Sequence, residues 1–378
     1  MEQVLIISYW NPTAYQPNKG VFIHDQVNAI CKNRIGVLFL EINILPTRGK
    51  IFEMEVTERL LYGNSVITLN VYSHFWKLIY MAPGLVYRWV AKILSTKAGN
   101  FLPSIVHSNV VFPCALLGRR FARLYKAKHV ITEHWTKVDA ILSHPLFGKS
   151  SLSTYQECDA IIGVSKYLVA EIQHRTGNKN VYRIPNIIDT QIFKYSGSKH
   201  RPENSYRFLC VATWRKPKRL DLILDSLTAL SMNSSIQLVI HVIGEGIQNK
   251  KYKEQVFPTN LKVIFHGYVT KEKIAALFFE TDIFVHASEQ ETFSIVTAEA
   301  LATGTPVMVS NIEALPELVD FENGLLIENN VDAWIAGFNK VISLNFDHAH
   351  IAASEEDKYT PESIVRMIEE VYAKVSGK

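Results

Sequence analysis

The chain has 378 residues, of which 48% are hydrophobic and 20% are charged, and its formal net charge at pH 7 is +4. At roughly 150 residues per domain this length predicts two domains, and the composition excludes a disordered or collagen-like protein. The excess of positive charge is small for a nucleic-acid-binding surface, so we expect no nucleic-acid partner.

The amino terminus and the cysteines favour a cytoplasmic protein without a membrane span. The first ten residues lack a basic region and predict a buried strand instead of a signal peptide. The four cysteines lie far apart and include no C-x-x-C pair, which argues against a disulfide framework and a zinc site. Charged residues interrupt the best hydrophobic stretch, Val71–Lys97, so no transmembrane helix is expected.

Short apolar runs alternate with longer amphipathic segments along the chain. Such a βαβα rhythm predicts parallel sheets covered on both faces, here an α/β protein of two Rossmann-like, doubly wound domains. Because ligands bind at the carboxyl ends of such strands, we expect the chemistry in a cleft between the facing domains. The predicted strands are Val4–Ser8, Ile35–Leu40, Ile105–His107, His129–Thr132, Ala160–Val164, Phe208–Ala212, Ile236–Ile243, Leu261–Phe265, Asp282–His286 and Pro306–Ser310.

The boundary between the domains is predicted in a polar segment rich in Ser, Lys and Asn that also contains Gly197 and Pro202. We assign residues 1–193 to the N-terminal domain, 194–205 to the linker and 206–355 to the C-terminal domain. A last helix within 356–378 begins at Thr360-Pro361, and its apolar stripe needs a core to cover. This helix can bury its apolar stripe by packing on the N-terminal domain.

Several polar or small residues follow strands in the N-terminal half. Gly20 lies in the turn between the first strand and a helix, where it permits close approach of the backbone. His107 ends one predicted strand and Asn109 follows it, and Glu133 and His134 follow the next predicted strand. A lone loop glycine or histidine is more often structural, but all five residues lie where a doubly wound sheet binds ligands.

The segment Val71–Lys97 mixes aromatic residues with three lysines and an arginine, and the aromatic residues include Phe75, Trp76, Tyr80, Tyr87 and Trp89. This mixture is typical of an anchor that lies at the surface of an anionic membrane. It is equally typical of an amphipathic helix pair that packs on the sheet. The sequence leaves both interpretations open.

The strand at the start of the C-terminal half leads into a basic loop that contains Arg215, Lys216, Lys218 and Arg219. Four cations at the carboxyl end of a strand can neutralise a leaving diphosphate. A solvated surface loop is the competing interpretation.

The most informative segment, Ser288–Ser310, predicts a strand end, a loop, a helix and the next strand. Glu291 lies in the loop, and Glu299 lies eight residues later, about two turns into a mostly apolar helix. A buried carboxylate needs a partner such as a pair of vicinal hydroxyls, which a ribose supplies. Between the two acids, Phe293, Ser294 and Ile295 occupy the helix start, whose free amides suit a diphosphate.

The pattern E-T-F-S-I-V-T-A-E-A-L-A-T-G-T-P-V in this segment resembles family 4 of the retaining glycosyltransferases, also called glycosyl transferases group 1, which have the GT-B fold. The resemblance implies that Glu291 contacts hydroxyls of the donor sugar and that Glu299 binds the ribose. It also implies that the amides of Phe293, Ser294 and Ile295 hold the diphosphate.

The resemblance extends to other segments, with departures. Lys218 matches a family lysine and His134 a family histidine that approaches the donor sugar, and the turn at Gly20 resembles a donor-facing loop. Thr213 stands where the family has an arginine, so either Arg215 reaches the phosphates instead or the pocket is less cationic than in the family. Asn109 replaces the second histidine of an H-x-H pattern, and its role stays open.

Together these features predict a retaining hexosyltransferase that moves a sugar from a UDP- or GDP-sugar to a glycan or lipid-linked acceptor, in polysaccharide or glycolipid synthesis. We expect no cofactor and no metal, because the sequence has no aspartate-x-aspartate motif and no cluster of metal ligands. The predicted location is cytoplasmic, with peripheral attachment to the inner membrane face left open. The alternatives are a nucleotide-sugar epimerase of the same fold and a non-catalytic nucleotide-sugar-binding protein.

Overall fold

The computed structural model describes residues 3–34, 36–47, 49–197 and 204–378. The chain forms two compact units, one of Met1–Ile187 with Pro361–Lys378 and the other of Ile188–Thr360. Residues 198–203, which make up half of the predicted linker, lie outside the described residues, as does Ile35, the first residue of one predicted strand. The domain limits given above therefore stay a prediction.

The first unit is built on one eight-stranded sheet. Its strands are β1 (Val4–Ser8), β2 (Val37–Leu45), β3 (Phe52–Leu61), β4 (Asn64–Ser73), β5 (Ile105–Asn109), β6 (Lys128–Glu133), β7 (Ala160–Gly163) and β8 (Val181–Arg183). They lie in the order β3-β4-β2-β1-β5-β6-β7-β8, and every neighbouring pair is parallel except β3 with β4. Every residue of the central strand β1 is buried, as expected for a parallel strand covered on both faces.

Helices cover both faces of this sheet. They are α1 (Val21–Asn33), α2 (Trp76–Tyr80), α3 (Pro83–Lys97), α4 (Leu116–Tyr125), α5 (Val138–Leu142), α6 (Gly148–Glu157) and α7 (Lys166–Thr176), with a π-helical turn at Val111–Ala115. Val4 and Ile6 of β1 face a core shared with α1 and with the last helix of the chain. Leu5 and Ile7 face the opposite core, to which α3 and α4 contribute.

The second unit is built on a six-stranded, all-parallel sheet. Its strands are β9 (Ser205–Val211), β10 (Gln237–Ile243), β11 (Leu261–Gly267), β12 (Ile283–His286), β13 (Val307–Ser310) and β14 (Gly324–Ile327), in the order β11-β10-β9-β12-β13-β14. Its helices are α8 (Leu220–Met232), α9 (Ile247–Lys253), α10 (Lys271–Glu280), α11 (Ile295–Ala302), α12 (Val331–Ser343) and α13 (His348–Glu355). The final helix of the chain, α14 (Pro361–Ser376), belongs to the first unit, where Ile364, Ile368 and Val371 are buried.

The predicted fold class, two α/β units with parallel sheets, is confirmed, and each of the ten predicted strands overlaps an observed one. The hairpin of β3 and β4 was not predicted, and because β4 ends at Ser73, the segment Val71–Lys97 begins as a strand. Nearly all of β3 is exposed because it lies at the edge of the sheet, so it lacks the apolar run used to find the other strands. Within the described residues, no helix combines the length and the hydrophobicity needed to cross a bilayer.

Candidate active site

Two segments of the second unit that are distant in sequence meet at the Glu291 side chain. The Lys218 ammonium donates to Glu291 Oε1, and His286 Nε2 lies 2.5 Å from the same oxygen. Lys218 Nζ also lies 3.2 Å from His286 Nε2. Glu291 is 9% exposed and His286 is fully buried, so the three side chains form a compact, largely desolvated cluster.

The protonation states of this cluster follow from its charges. Burial raises the pKa of the Glu291 carboxyl, but the Lys218 ammonium and the His286 ring outweigh burial and lower this pKa to about 2. Burial and the Lys218 ammonium lower the pKa of His286 against the opposing effect of Glu291. At neutral pH the cluster therefore contains an ammonium, a carboxylate and a neutral imidazole.

Backbone contacts between the loops after β9 and β12 bring Lys218 to Glu291. Lys218 forms an isolated antiparallel bridge with Ser288, and the Glu289 amide donates to the Pro217 carbonyl at 2.9 Å. The Gln248 side chain donates to the Lys218 carbonyl at 2.6 Å. Because β9 and β12 are neighbours in a parallel sheet, both loops lie at the same sheet edge, the usual ligand-binding edge of such sheets.

The other three cations of the basic loop, Arg215, Lys216 and Arg219, differ from Lys218 in their contacts. Arg219 forms ion pairs with Asp221 and Glu289, so its charge is already balanced. Arg215 and Lys216 are exposed, and among the described residues none forms an ion pair with Arg215. Lys218 is thus the only one of the four cations seen in contact with Glu291 in the described part of the chain.

The loop of Glu291 leads directly into the amino terminus of α11. The amides of Thr297 and Ala298 donate to the Ser294 carbonyl, whereas amides at the start of a helix have no acceptor within it. The Ser294 backbone is left-handed, with φ of 68°, and its hydroxyl lies 2.8 Å from the Thr297 hydroxyl. The Phe293 ring is buried and packs on Tyr359, so Phe293 can offer only its backbone to a ligand.

Glu299 lies on α11 and is 7% exposed. Its helix neighbours Ala298, Ala300 and Leu301 are fully buried, which agrees with the apolar character of this helix. The structure therefore places Glu291, Glu299 and the first amides of α11 on one continuous loop and helix.

In the first unit, His134 and Asn109 are in contact at the carboxyl ends of β6 and β5. His134 Nε2 lies 3.3 Å from Asn109 Oδ1, and the imidazole packs on the Phe22 ring at 4.7 Å between centroids. Nδ1 of His134 is buried and has no hydrogen-bond partner among the described residues. Burial, assisted by His107 and opposed by a hydrogen bond with Asn186, lowers the pKa of His134 to about 3, so the ring is neutral at neutral pH.

The other two polar residues of these strand ends are bonded within the unit. His107 Nδ1 lies 2.6 Å from the Tyr372 hydroxyl, and its Nε2 lies 2.6 Å from the Thr132 hydroxyl. Glu133 accepts hydrogen bonds from the Tyr155 hydroxyl and from the amides of Val111, His134 and Trp135. This bonding favours a structural role for both residues.

Gly20 precedes α1 with a left-handed backbone, φ of 69°. A Cβ atom at this position would lie 1.9 Å from the carbonyl oxygen of Trp10. The segment after β1 therefore approaches Gly20 so closely that a side chain does not fit, and this contact within the protein is sufficient to require glycine.

Two residues in contact with Glu291 were not predicted from the sequence. His286 is the last residue of a strand that was predicted, so a polar residue at a strand's carboxyl end was the available signal. Glu313 accepts a hydrogen bond from the Glu291 amide through Oε2 at 2.6 Å. Glu313 follows the next strand, β13, and nothing in its local sequence indicates a contact 22 residues away.

The described residues contain no group of three or more His, Cys, Asp or Glu side chains that could hold a metal ion. The cation in contact with Glu291 is the Lys218 ammonium. The arrangement offers a lysine ammonium, an ionised carboxylate and helix-terminal amides for an anionic, hydroxyl-bearing ligand.

Comparison with protein families assigns most of the chain. Residues 191–358 match the family described as Glycosyl transferases group 1. Residues 46–192 match the family described as Glycosyltransferase Family 4. The two matches are adjacent and together include every residue of the Glu291 cluster as well as His134.

Individual relatives are similar to the chain over only part of its length. An uncharacterized glycosyltransferase of Methanocaldococcus jannaschii is 26% identical over 230 residues, which are 60% of this chain and 61% of that protein. The N-acetyl-alpha-D-glucosaminyl L-malate synthase of Bacillus anthracis is 23% identical over 295 residues, 75% of this chain and 74% of that protein. The chain thus spans less than two thirds of the first of these relatives.

Solved structures match over the whole chain. Sucrose-phosphate synthase from Thermosynechococcus elongatus has a TM-score of 0.71 at 15% identity and covers 100% of both chains. Anabaena HepE in complex with UDP has a TM-score of 0.71 at 15% identity and covers 99% of this chain and 100% of its own. At these identities the similarity concerns the fold.

Proposed function

The chain belongs to the family 4 glycosyltransferases of group 1, and we propose that it is a retaining enzyme that transfers a sugar from a nucleoside diphosphate to a glycan or lipid-linked acceptor. The observation that carries the proposal is the contact of Lys218 and His286 with Glu291 immediately before the amino terminus of α11. The ammonium and the helix-terminal amides can bind a diphosphate, and the adjacent carboxylate can accept a hydrogen bond from a sugar hydroxyl.

The diphosphate of the donor is assigned to Lys218 and to the first amides of α11, at Phe293, Ser294 and Ile295. A phosphate group at this helix terminus gains hydrogen bonds from free amides and a favourable interaction with the helix dipole. As the sugar leaves, negative charge grows on the diphosphate, and the Lys218 ammonium stabilises that charge. Since the chain supplies this positive charge itself, we propose that transfer needs no divalent metal.

The ribose of the donor is assigned to Glu299. A carboxylate accepts hydrogen bonds from both vicinal hydroxyls of a ribose, and its burial on α11 makes such a contact strong. We propose uracil or guanine as the base of the nucleotide. Arg215, exposed and without an ion pair among the described residues, is a further candidate for the phosphates.

The donor sugar is assigned to Glu291. With a pKa of about 2, Glu291 is ionised and cannot act as a proton donor, but it accepts hydrogen bonds from sugar hydroxyls. That His134 of the first unit approaches the donor sugar stays a prediction from the sequence. In a retaining transfer on one face of the sugar, the departing phosphate accepts the proton of the attacking hydroxyl.

For the location of the enzyme, we propose the cytoplasm with peripheral attachment to an anionic membrane face. Phe75, Leu78, Met81 and Leu85 are exposed at spacings of three or four residues around α2 and α3. The exposed cations Lys77, Arg88 and Lys92 lie on the same two helices and suit acidic lipid headgroups. The aromatic residues Trp76, Tyr80, Tyr87 and Trp89 pack against the core instead.

The proposed function is tested by a donor screen followed by product analysis. UDP-, GDP- and ADP-sugars are added to the purified protein, and the melting temperature identifies the donor, because a ligand that binds only the folded state raises it. The chosen donor is then incubated with and without candidate acceptors, and products are separated by mass and anomeric configuration. We expect a glycosylated acceptor with retained configuration.

Other outcomes of this test exclude the proposal. Epimerised nucleotide sugar formed without an acceptor would assign the chain to an epimerase. Tight donor binding without transfer or hydrolysis would indicate a non-catalytic binding protein. A covalent sugar adduct on Glu291 would replace the same-face reaction by a double displacement.

A further inference from the structure

Glu313 has an unusual backbone for a residue with a side chain. It lies after β13 with φ of 43°, in the left-handed region that glycine adopts freely and that other residues seldom enter. A glycine here would form the same turn without strain. Because strained residues persist where another interaction compensates for them, the Glu313 side chain is expected to have a specific task.

The contact made by this side chain lies at the candidate donor site. Glu313 Oε2 accepts the hydrogen bond of the Glu291 amide at 2.6 Å. The Glu291 side chain is held independently by Lys218 and His286. The loop after β13 therefore holds the Glu291 backbone. The loop after β9 and the end of β12 hold its carboxylate.

The base of the Glu291 loop is anchored by other residues. The Ser288 amide donates to the Ser310 hydroxyl at 3.0 Å, and the Asn329 side chain donates to the Ser288 carbonyl at 2.7 Å. Ser310 in turn donates to Asn329 at 2.6 Å. Since these bonds hold the loop where it leaves β12, the Glu313 contact acts further along, at Glu291 itself.

We propose that Glu313 is a positioning residue, whose carboxylate sets the place of Glu291 relative to the donor sugar by accepting the Glu291 amide. This inference rests on the proposed function. Loss of the contact leaves the loop base, Lys218 and α11 in place, so nucleotide binding is retained. What changes is the orientation of the Glu291 carboxylate toward the sugar, and misplacement of a contact group by about 1 Å can lower turnover by about a hundredfold.

The decisive variant is Glu313→Gly, because it removes the carboxylate and relieves the backbone strain at once. We expect a melting temperature at or above that of the wild type, a dissociation constant for UDP or GDP within about twofold of the wild type, and a kcat at least about tenfold lower. Glu313→Gln keeps an amide oxygen that can accept the same hydrogen bond, so its kcat should recover to within about threefold of the wild-type value.

A matched control distinguishes the effect of relieving a strained backbone from the effect of losing the hydrogen bond to Glu291. Lys126 also has a left-handed backbone, with φ of 52°, but it ends α4 in the first unit and has no proposed role in catalysis. Lys126→Gly should leave kcat and nucleotide affinity unchanged. A loss of turnover in Glu313→Gly alone then reflects the missing carboxylate.

Two results would overturn the inference. Wild-type kcat in Glu313→Gly would show that the carboxylate does not position Glu291. An equal loss of kcat in the Gly and Gln variants, together with weaker UDP or GDP binding, would assign Glu313 to general loop integrity. If the wild-type chain neither binds these nucleotides nor consumes any of the sugars screened, the proposed function itself fails, and this inference fails with it.

Discussion

Lys218 and Glu291 lie 73 residues apart in the chain, yet the ammonium of one contacts the carboxylate of the other at the edge of the second unit's sheet. The contact lowers the pKa of Glu291 and compensates for the burial of its charge. An arriving diphosphate has to share the Lys218 ammonium with Glu291. This shared cation connects nucleotide binding to the residue assigned to the sugar, and the first predictions follow from it.

Lys218→Met should weaken the affinity for UDP or GDP by about tenfold to a hundredfold, because one charge-assisted hydrogen bond of about 1.5–3 kcal/mol is lost. Turnover should fall further, since charge on the leaving diphosphate grows in the transition state. Isothermal titration and steady-state kinetics measure the two effects. Lys216→Met is the matched control, because Lys216 is exposed in the same loop. Equal losses in both variants would mean that only the net charge of the loop matters.

Glu291→Gln and Glu299→Gln should separate the sugar contact from the ribose contact. With Gln at position 291, we expect turnover to fall by about a thousandfold while the affinity for UDP or GDP does not fall, because the Lys218 ammonium is then no longer shared. With Gln at position 299, the nucleotide affinity should fall by about tenfold, and turnover at saturating donor should change little. Titration with nucleotide and with nucleotide sugar provides the comparison. Similar profiles for the two variants would refute the division of roles.

Much of this arrangement is predictable from the sequence because its parts are local. Ten of the fourteen strands in the described part of the chain follow from apolar runs, and the acids Glu291 and Glu299 and the cation Lys218 stand out in short motifs. The pairing of Lys218 with Glu291 and the contact of Glu313 depend on which strands become neighbours, and no short pattern encodes that order. His286 could have been singled out, because it is a polar residue at the carboxyl end of a predicted strand, the same signal that pointed to His107.

The pH dependence of stability should contain a contribution from Glu291. Its pKa is about 2 in the folded chain, below the usual value of 4.5, so ionised Glu291 stabilises the fold fully above about pH 4.5, and this contribution is lost as the pH falls toward about 2. The full effect is about 3 kcal/mol for the second unit. Melting curves of the wild type and Glu291→Gln between about pH 6 and pH 3 measure it. The advantage of the wild type should shrink on acidification, and a constant difference would contradict the assigned pKa.

Gly20→Ala should destabilise the first unit by about 2–4 kcal/mol, because the new Cβ would overlap the Trp10 carbonyl. Gly177→Ala is the matched control, since Gly177 has the same φ of 69° but nothing within 4 Å of the added Cβ. The Gly177→Ala variant should be destabilised only by the strain of a left-handed backbone at alanine, about 1 kcal/mol. Thermal unfolding distinguishes the two variants. If Gly20→Ala keeps its stability but loses donor binding, Gly20 serves the ligand and not the turn.

Membrane attachment predicts that the protein floats with vesicles of phosphatidylcholine mixed with phosphatidylglycerol but not with vesicles of phosphatidylcholine alone. The exposed residues Phe75 and Leu78 would enter the headgroup region, while nearby lysines and arginines contact the anionic lipids. Flotation should therefore weaken at high salt and in the double variant Phe75→Ser, Leu78→Ser. Phe321→Ser is the control, because Phe321 is 84% exposed but lies in the second unit. Absence of binding to anionic vesicles at low salt would refute the proposal, and equal flotation of all variants would place the membrane contact elsewhere on the chain.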